Sequence, residues 1–416
     1  MIGSIASSTK IIEISRFTAE ALDETLVYST GLGSGGSVLC IIDPRPFPLR
    51  DRVLSDLARR WNLTILDQVV PNPASTDIMA MADRARTKRP TALIGIGGGS
   101  TLDSAKAVAM LLESPGDLDD YLGPEAQLKP QNRTIPLLLI PTTTGTGSEV
   151  TRFGVYTART GRKYTLNSPV LQAEVAILAQ DLVADLPPAL VAATGYDALT
   201  HALETLWNKN ATPRSDRLAL EAASAVLGNL ESAWQASQAR TEATEQRGTA
   251  TAHPALADLQ RAATLAGIAF NKTGTAAIHA LSFILSEEWH LSHGAACAFF
   301  TQNVFDINME NRAVREKFLV LAKRVHENIT GDVHPSTLTD EGYIQFLRDR
   351  LVYLKRLMGL PDRFSDISGF KLPKTEQEME ELAALFDKVQ SDFKLKNNPV
   401  PCTPERIRGL ILEKLK

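Results

Sequence analysis

Four residues with metal-binding side chains stand in two pairs in the second half of the chain. Asp197 and His201 are four positions apart, and on a helix this spacing places both side chains on one face. His279 and His293 lie in segments of small and apolar residues, where an unpaired imidazole would be costly. One carboxylate and three imidazoles suit Fe²⁺ or Zn²⁺, with a position left for a substrate oxygen. An isolated pair such as Asp197 and His201 more often forms a helical hydrogen bond at the surface, but together with His279 and His293 it predicts a metal centre.

A second group of residues predicts a phosphate-binding site in the first half of the chain. An apolar run over residues 91–96 leads into Gly97-Gly98-Gly99-Ser100, and a helical pattern follows from about Leu102 to Leu112. Glycine lets a pyrophosphate approach the free N–H groups at a helix N-terminus. A second polar loop over residues 142–148 also follows an apolar run, so both loops are expected at the carboxyl ends of one sheet, where nucleotides bind. A tight turn without a ligand is the alternative for the glycine run alone.

The elements that would position these residues change in character at Pro187-Pro188. Before this point, short apolar runs alternate with helical patterns, which predicts a parallel sheet covered on both faces; the runs are residues 37–43, 64–66, 91–96, 135–140 and 175–178. After it, the sequence shows successive amphipathic helices and no comparable strand. We predict an α/β dinucleotide-binding domain over residues 1–186 and an all-helical metal-binding domain over residues 187–416.

Composition excludes several classes of protein. The chain has 416 residues, more than one hydrophobic core usually holds, and its net charge of −4 excludes a globally basic nucleic-acid binder. No apolar run reaches the ~18–20 residues of a membrane helix, and the first residues do not have the pattern of a secretory signal. Cys40, Cys297 and Cys402 form no CxxC pair, which argues against a disulfide framework or a thiolate metal site. We expect a cytoplasmic enzyme with neither a nucleic-acid nor a membrane partner, and Cys297 is interpreted as a small core residue.

These motifs resemble those of the iron-containing (group III) alcohol dehydrogenases, and the match runs nearly end to end. It is carried by Val70–Pro73, Gly97–Ser100 with Asp103, Pro141–Glu149, Gly195–Glu204, Gly274–Ser282 and His293-Gly294. The resemblance implies an α/β nucleotide-binding domain followed by a helical metal-binding domain. It also implies a homodimer or larger assembly. The reaction implied is hydride transfer between NAD(P)H and an aldehyde, with a metal ion as Lewis acid, Fe²⁺ or alternatively Zn²⁺.

The resemblance also implies roles for individual residues. The metal ligands would be Asp197, His201, His279 and His293, the last two also being catalytic, and the nicotinamide nucleotide would contact Asp43, Asn72, Gly98, Gly99, Ser100, Asp103, Thr142, Thr143, Thr146 and Lys163. A carboxylate at Asp43 would bind the adenosine ribose and favour NAD(H), while Arg45 nearby leaves NADP(H) open. Phe283 stands where many members of the family have a further histidine, so a histidine proton relay is absent there.

Two segments, residues 203–211 and 275–283, look most like the phosphonoacetaldehyde reductase branch, which forms 2-hydroxyethylphosphonate. Arg152 directly follows the threonine-rich loop, and its planar guanidinium would suit a phosphonate, sulfonate or carboxylate head group. A structural ion pair at the surface is an equally open role for Arg152. We expect Arg152, Phe153 and Phe283 to line the substrate site, with Lys209 and Arg214 as weaker candidates.

Other functions remain open at this level. Sulfoacetaldehyde, a semialdehyde or a simple aldehyde are alternative substrates, and glycerol dehydrogenases and maleylacetate reductases are rivals with the same fold. Dehydroquinate synthases share the two-domain plan but catalyse a net non-redox cyclisation and have different metal motifs. A non-catalytic nucleotide-binding protein is disfavoured because all four candidate metal ligands are present.

Overall fold

The computed structural model describes residues 8–18, 20, 22, 35–45, 47, 49–242, 252–331 and 338–416. The chain forms two compact units, the first of Met1–Pro187 with Ser237–Gly267 and the second of Pro188–Ala236 with Ile268–Lys416. Our prediction placed every residue after 186 in the helical domain, whereas residues 237–267 group with the α/β unit. Side chains of this segment bond to that unit, since Arg261 Nε lies 2.8 Å from Glu13 Oε2 and Gln260 Nε2 donates to the carbonyl of Pro141.

The first unit is built on a parallel sheet. Its strands are β1 (Lys10–Ile14), β2 (Ser37–Ile42), β3 (Asn62–Leu66), β4 (Ala92–Gly97), β5 (Leu137–Pro141), β6 (Phe153–Thr157), β7 (Lys163–Asn167) and β8 (Val175–Ala179). Six of them form one sheet in the order β1-β8-β5-β4-β2-β3, and every neighbouring pair in it is parallel. Strands β6 and β7 form a separate antiparallel hairpin.

Both faces of the sheet are buried, because successive side chains of a strand point to opposite faces. In β2, Leu39 and Ile41 join one core, while Val38, Cys40 and Ile42 join the other. Helix α1 (Arg50–Ala58) packs into the second core, and α2 (Ser75–Lys88) and α3 (Gly99–Leu111) pack into the first. The predicted parallel α/β sheet is therefore confirmed.

Strand β1 and the β6–β7 hairpin were not among the predicted strands. Residues of β1 are half-buried or exposed at the edge of the sheet, so the strand lacks the continuous apolar run of a central strand. Strand β6 alternates half-buried and buried residues, whereas β7 has three half-buried residues followed by one buried and one exposed, and each strand has only five residues. Both signals are too short to stand out from the surrounding loops.

Helices account for the second part of the chain. They are α4 (Pro188–Trp207), α5 (Pro213–Glu242), α6 (Pro254–Thr273), α7 (Ala277–Trp289), α8 (His293–Asn308), α9 (Arg312–Thr330), α10 (Asp340–Leu357), α11 (Glu376–Asp387), α12 (Phe393–Asn397) and α13 (Pro404–Lys414). No strand lies among the described residues after Pro187, which agrees with the prediction. Nor is any helix in the described ranges long and apolar enough to cross a membrane.

Helices α4 and α8 of the second unit approach each other very closely. A Cβ added at Gly294 would lie 1.8 Å from the carbonyl oxygen of Ala193, so only glycine fits at this crossing. The contact lies one residue after His293 and four residues before Asp197. It therefore brings the candidate metal ligands of the two helices together.

Candidate functional site

Three imidazole nitrogens surround one carboxylate oxygen in the second unit. Asp197 Oδ1 lies 3.8 Å from His201 Nε2, 3.6 Å from His279 Nε2 and 3.5 Å from His293 Nε2. The side chains of Asp197, His201 and His279 are buried, whereas that of His293 is 32% exposed. The structure thus brings together all four residues that the sequence marked as candidate metal ligands.

Their positions on three helices explain the arrangement. Asp197 and His201 share one face of α4, His279 lies in the first turn of α7, and His293 is the first residue of α8. One turn further along α8, Cys297 Sγ lies 3.9 Å from His293 Nε2. The ligand atoms of Asp197, His279, His293 and Cys297 all lie within 4.8 Å of one another. The sequence interpretation of Cys297 was a small core residue, although its i, i+4 spacing from His293 was visible in the sequence.

The donor atoms of this cluster and their spacing suit a divalent cation. Asp197 Oδ1 and His279 Nε2 are buried and have no hydrogen-bond partner among the described residues. Leaving such atoms unsatisfied costs about 1–3 kcal/mol each. Two nitrogen or oxygen ligands of one tetrahedral ion stand about 3.4 Å apart, close to the 3.5 Å and 3.6 Å observed here. A shared metal ion would satisfy both atoms.

The electrostatics of the site favour a cation in the same place. Burial would raise the pKa of Asp197, but the imidazoles of His201 and His293 outweigh it and hold that pKa below its usual range. Burial would lower the pKa of His279, but Cys297 and Glu204 raise it overall. For Cys297, burial opposes ionisation, yet His293 and His279 lower its pKa to about 7. The cluster therefore combines anionic groups with imidazoles that readily bind a proton. A metal ion binds through the same lone pairs as a proton, so these groups favour a cation.

Glu204 determines which nitrogen of His279 faces Asp197. Its Oε2 lies 2.7 Å from His279 Nδ1, and because a carboxylate only accepts hydrogen bonds, Nδ1 must donate. The lone pair of Nε2 is then directed toward Asp197, the arrangement found in metal sites where a carboxylate orients a histidine. Glu204 also accepts hydrogen bonds from the backbone N–H groups of Ala276 and Ile278 at the start of α7. Glu204 ends the motif Gly195–Glu204, but no role for it could be predicted from the sequence.

Aromatic rings pack around the metal-site histidines. His201 is stacked between Phe270, at a centroid distance of 4.2 Å, and His279, at 4.5 Å. Phe283 is buried, and its ring centroid lies 5.9 Å from that of His293. Lys394 Nζ lies 4.1 Å from the centroid of Phe283. Phe283 thus lies beside a candidate metal ligand, where its ring offers no group that could transfer a proton.

In the first unit, the glycine loop and the threonine loop are in contact. Strand β4 ends at Gly97 and α3 begins at Gly99. A Cβ added at Gly98 would lie 3.2 Å from Thr143 Cγ2, and one added at Gly99 would lie 2.6 Å from Thr146 Cγ2. Since β4 and β5 are parallel neighbours, both loops lie at the carboxyl ends of their strands. This is the edge at which open α/β sheets bind nucleotides.

Other predicted nucleotide residues lie near these loops. The backbone N–H of Asn72 donates to Ser100 Oγ over 3.3 Å, and Thr142 N donates to the carbonyl of Gly97. Asp103 accepts hydrogen bonds from Ser148 Oγ at 2.6 Å and from the backbone of β6, so it also holds the threonine loop in place. Lys163 begins β7 and pairs with Thr157 of β6. Contact of all these residues with a nucleotide remains a prediction.

Asp43 directly follows β2, and its carboxylate accepts three hydrogen bonds from Arg45, one from the backbone N–H and two from the guanidinium. Arg45 Nη2 lies 2.7 Å from Asp43 Oδ2, and Nε lies 3.1 Å from Oδ1. The Asp43 side chain is 11% exposed and that of Arg45 is 64% exposed. The carboxylate that would repel a 2′-phosphate is therefore paired with a cation that would attract one, and the choice between NAD(H) and NADP(H) stays open.

The predicted substrate residues of the first unit are half-buried. Arg152 Cζ lies 5.9 Å from the ring centroid of Phe153, whose carbonyl accepts a hydrogen bond from Lys106 Nζ at 2.8 Å. Burial lowers the pKa of Lys106 to about 8. Of the weaker candidates, Lys209 donates to the carbonyl of Lys396, and Arg214 is exposed. The hydrogen bond from Lys209 to the carbonyl of Lys396 gives that lysine a structural role.

Comparison with known proteins identifies the class to which this fold and site belong. Residues 14–180 match the iron-containing alcohol dehydrogenase family, and residues 191–415 match the C-terminal domain of the same family. The chain belongs to the iron-containing alcohol dehydrogenase family, which confirms the resemblance seen in its motifs. It is accordingly an enzyme of the alcohol dehydrogenase and aldehyde reductase class.

Individual relatives show the range within that family. The chain is 31% identical over 393 residues, 94% of its length and 92% of the relative's, to long-chain-alcohol dehydrogenase 1 of Geobacillus thermodenitrificans (strain NG80-2). It is 35% identical over 263 residues, 63% of each chain, to the sulfoacetaldehyde reductase of Bilophila wadsworthia (strain 3_1_6). The crystal structure of sulfoacetaldehyde reductase from Bifidobacterium kashiwanohense in complex with NAD+ has a TM-score of 0.79 at 24% identity, covering 100% of this chain and 99% of that one, and shows the shared fold.

Proposed function

We propose that this enzyme reduces a small aldehyde with an anionic head group to its primary alcohol, using NAD(P)H and a divalent metal ion. The observation that carries the proposal is the convergence of three imidazole Nε2 atoms on Asp197 Oδ1 in a buried site. Membership of the family supports iron as the metal and a nicotinamide nucleotide as the cofactor. Zn²⁺ is compatible with the same donor set. Cytoplasmic localisation and assembly as a homodimer belong to the proposal as well.

The chain's own residues would prepare the site for this reaction. A divalent metal ion, when bound, acts as a Lewis acid on a carbonyl oxygen. Asp197 supplies the anionic ligand, and Glu204 keeps the Nε2 lone pair of His279 directed into the site. His293 is the most exposed of the four donors and would stand on the side open to the substrate. Because Phe283 cannot transfer a proton, the proton gained by the product oxygen would come from water or a ribose hydroxyl.

Phosphonoacetaldehyde is the substrate we propose first, because residues 203–211 and 275–283 look like the phosphonoacetaldehyde reductase branch. Sulfoacetaldehyde is the direct rival, since one relative with 35% identity is a sulfoacetaldehyde reductase. Both compounds combine an aldehyde with a tetrahedral anionic group, which a guanidinium can bind through two hydrogen bonds. Arg152 is the residue we propose for that contact.

The test is anaerobic oxidation of NADH and NADPH by the Fe²⁺-loaded enzyme with phosphonoacetaldehyde, sulfoacetaldehyde, succinic semialdehyde and propionaldehyde. A charged hydrogen bond contributes about 1.5–3 kcal/mol, so Arg152→Ala should lower kcat/KM for the preferred anionic aldehyde about 10- to 100-fold. Its effect on propionaldehyde should be small. Arg162→Ala, which removes an exposed arginine of the same unit, is the matched control.

The panel also separates the alternatives. Preference for the sulfonate over the phosphonate would keep the reaction class and replace the substrate. Equal or better turnover of propionaldehyde, unchanged in Arg152→Ala, would indicate a general alcohol dehydrogenase and contradict the anionic-substrate proposal. Turnover without net oxidation of the nucleotide would point instead to a cyclase of the dehydroquinate synthase kind.

A further inference from the structure

We propose that Cys297 is a ligand of the metal ion in this enzyme, so that the centre combines oxygen, nitrogen and sulfur donors. This inference rests on the metal site of the proposed function but not on the identity of the aldehyde. It also revises the expectation that none of the cysteines takes part in a thiolate metal site.

The position of the sulfur atom is the first argument. Cys297 Sγ lies 3.9 Å from His293 Nε2, and both belong to a group of four residues whose ligand atoms lie within 4.8 Å of one another. A thiolate at about 2.3 Å and an imidazole at about 2.1 Å from one tetrahedral ion are about 3.6 Å apart. The observed separation is therefore close to that of two ligands on a shared ion.

The helices that carry the donors give the second argument. His293 and Cys297 are i and i+4 on α8, just as Asp197 and His201 are i and i+4 on α4, so each helix directs two donors from one face. His201 Nε2 is 3.8 Å from Asp197 Oδ1 and its ring is stacked on His279. The group of four whose ligand atoms all lie within 4.8 Å of one another consists of Asp197, His279, His293 and Cys297, so Cys297 belongs to it and His201 does not.

Two buried acceptor atoms beside Cys297 also indicate a cation at this place. Asp197 Oδ1 and His279 Nε2 are deeply buried and have no hydrogen-bond partner among the described residues, although both belong to the group of four. Two buried acceptors directed at the same small space call for a cation, and Cys297 Sγ faces that space with them. The enzyme's other cysteines are placed differently, since Cys40 lies within β2 and Cys402 Sγ contacts Asn398 and the carbonyl of Val400.

A thiolate ligand has a chemical consequence for metal choice. On coordination the Sγ–H bond is lost and its proton passes to solvent, while the sulfur lone pair forms the bond to the ion. Thiolates are soft donors that favour Zn²⁺ and Co²⁺ over oxygen-preferring Mn²⁺. The affinity for Zn²⁺ should therefore fall about tenfold or more in Cys297→Ser, since loss of a residue that only hydrogen-bonds a metal ligand already has an effect of this size. The affinity for Mn²⁺ should change much less.

The experiment is the absorption spectrum of the full-length protein loaded anaerobically with Co²⁺. We expect a near-ultraviolet thiolate-to-cobalt charge-transfer band together with visible ligand-field bands. In Cys297→Ser the charge-transfer band should disappear while the ligand-field bands remain, and Cys402→Ser, the matched control, should keep both. X-ray absorption of the Zn²⁺-loaded protein should show one sulfur scatterer at about 2.3 Å.

Two results would overturn the inference: a wild-type spectrum with ligand-field bands alone, or a charge-transfer band that survives in Cys297→Ser. If Cys297→Ser does not fold, Cys297→Ala provides a second variant, and the wild-type cobalt spectrum and zinc X-ray absorption decide without any variant. An enzyme that shows the thiolate band but reduces none of the aldehydes would contradict the proposed function and leave the ligand assignment standing.

Discussion

At the scale of single residues, Glu204 is the group that orients His279, one of the candidate metal ligands. It is fully buried, yet its two oxygens accept hydrogen bonds from His279 Nδ1 and from backbone N–H groups at the start of α7. One carboxylate thereby sets both the tautomer of a candidate metal ligand and the position of the helix that carries it. A glutamate this deep in the second unit is explained by these contacts, since a buried charge without partners would be very costly.

Replacement of Glu204 by glutamine should weaken metal binding without removing any ligand. A glutamine amide has one oxygen that accepts and one NH₂ group that donates, whereas both oxygens of Glu204 accept hydrogen bonds. If the NH₂ group faces His279, the imidazole must change tautomer; if it faces the backbone N–H groups at the start of α7, a hydrogen bond there is lost. We expect a loss of about 10- to 100-fold in affinity for Zn²⁺, measured by competition with a chromophoric chelator. Glu288→Gln, at an exposed position of α7, is the control, and equal affinities in both variants would contradict the orienting role of Glu204.

At the scale of elements, the crossing of α4 and α8 determines whether the two donor pairs meet. Their backbones approach so closely at Gly294 that an added Cβ would lie 1.8 Å from the carbonyl oxygen of Ala193. A carbonyl oxygen cannot move aside as a flexible side chain can, so a larger residue must shift one helix. His293 and Cys297, on either side of Gly294, would move with it.

Gly294→Ala should therefore damage both stability and the metal site. Overpacking of this kind costs about 1–3 kcal/mol, and we expect a lower free energy of unfolding in urea together with weaker Zn²⁺ binding. Gly228→Ala is the opposite case. Gly228 lies within α5, and a Cβ added there would have no atom of another part of the described structure within 4 Å. This substitution should stabilise the helix by about 0.5–1 kcal/mol. If both substitutions stabilise the protein, α4 and α8 do not approach each other as described.

At the scale of the whole molecule, the two predicted ligand sites belong to different compact units. The candidate metal ligands all lie in the second unit, and the predicted nucleotide-contacting residues all lie in the first. A ligand that binds only the folded form stabilises it by about 2.7 kcal/mol at a hundredfold excess over its Kd. Each ligand should therefore protect its own set of elements.

Hydrogen exchange measured by mass spectrometry tests this separation. Zn²⁺ should slow exchange in α4, α7 and α8, whereas NAD⁺ added alone should slow it in the loops at residues 97–100 and 142–148. Asp197→Asn should abolish the protection by Zn²⁺ and leave that by NAD⁺. Protection of α4 and α8 by NAD⁺ in the metal-free protein, with none in the two loops, would contradict the assignment of the nucleotide site to the first unit.

The sequence by itself determined the features that depend on local patterns. Short apolar runs separated by helical segments predicted the parallel sheet, because strands buried on both faces need continuous apolar residues. The four-residue spacing of Asp197 and His201 predicted a shared helix face. The glycine run at residues 97–100 predicted a loop between a strand and a helix in which a phosphate could approach the backbone, because a Cβ atom would block that approach. Each of these signals is a local pattern of residue types or a short spacing along the chain.

Only the tertiary structure decided which distant residues meet. Glu204 and His279 are 75 positions apart, and their hydrogen bond exists because α4 packs near the start of α7. The approach of Cys297 to Asp197, 100 positions away along the chain, follows from the glycine contact between α4 and α8. Residues 237–267 group with the α/β unit for the same kind of reason. Such contacts are set by how helix faces fit together, and no local period in the sequence carries that information.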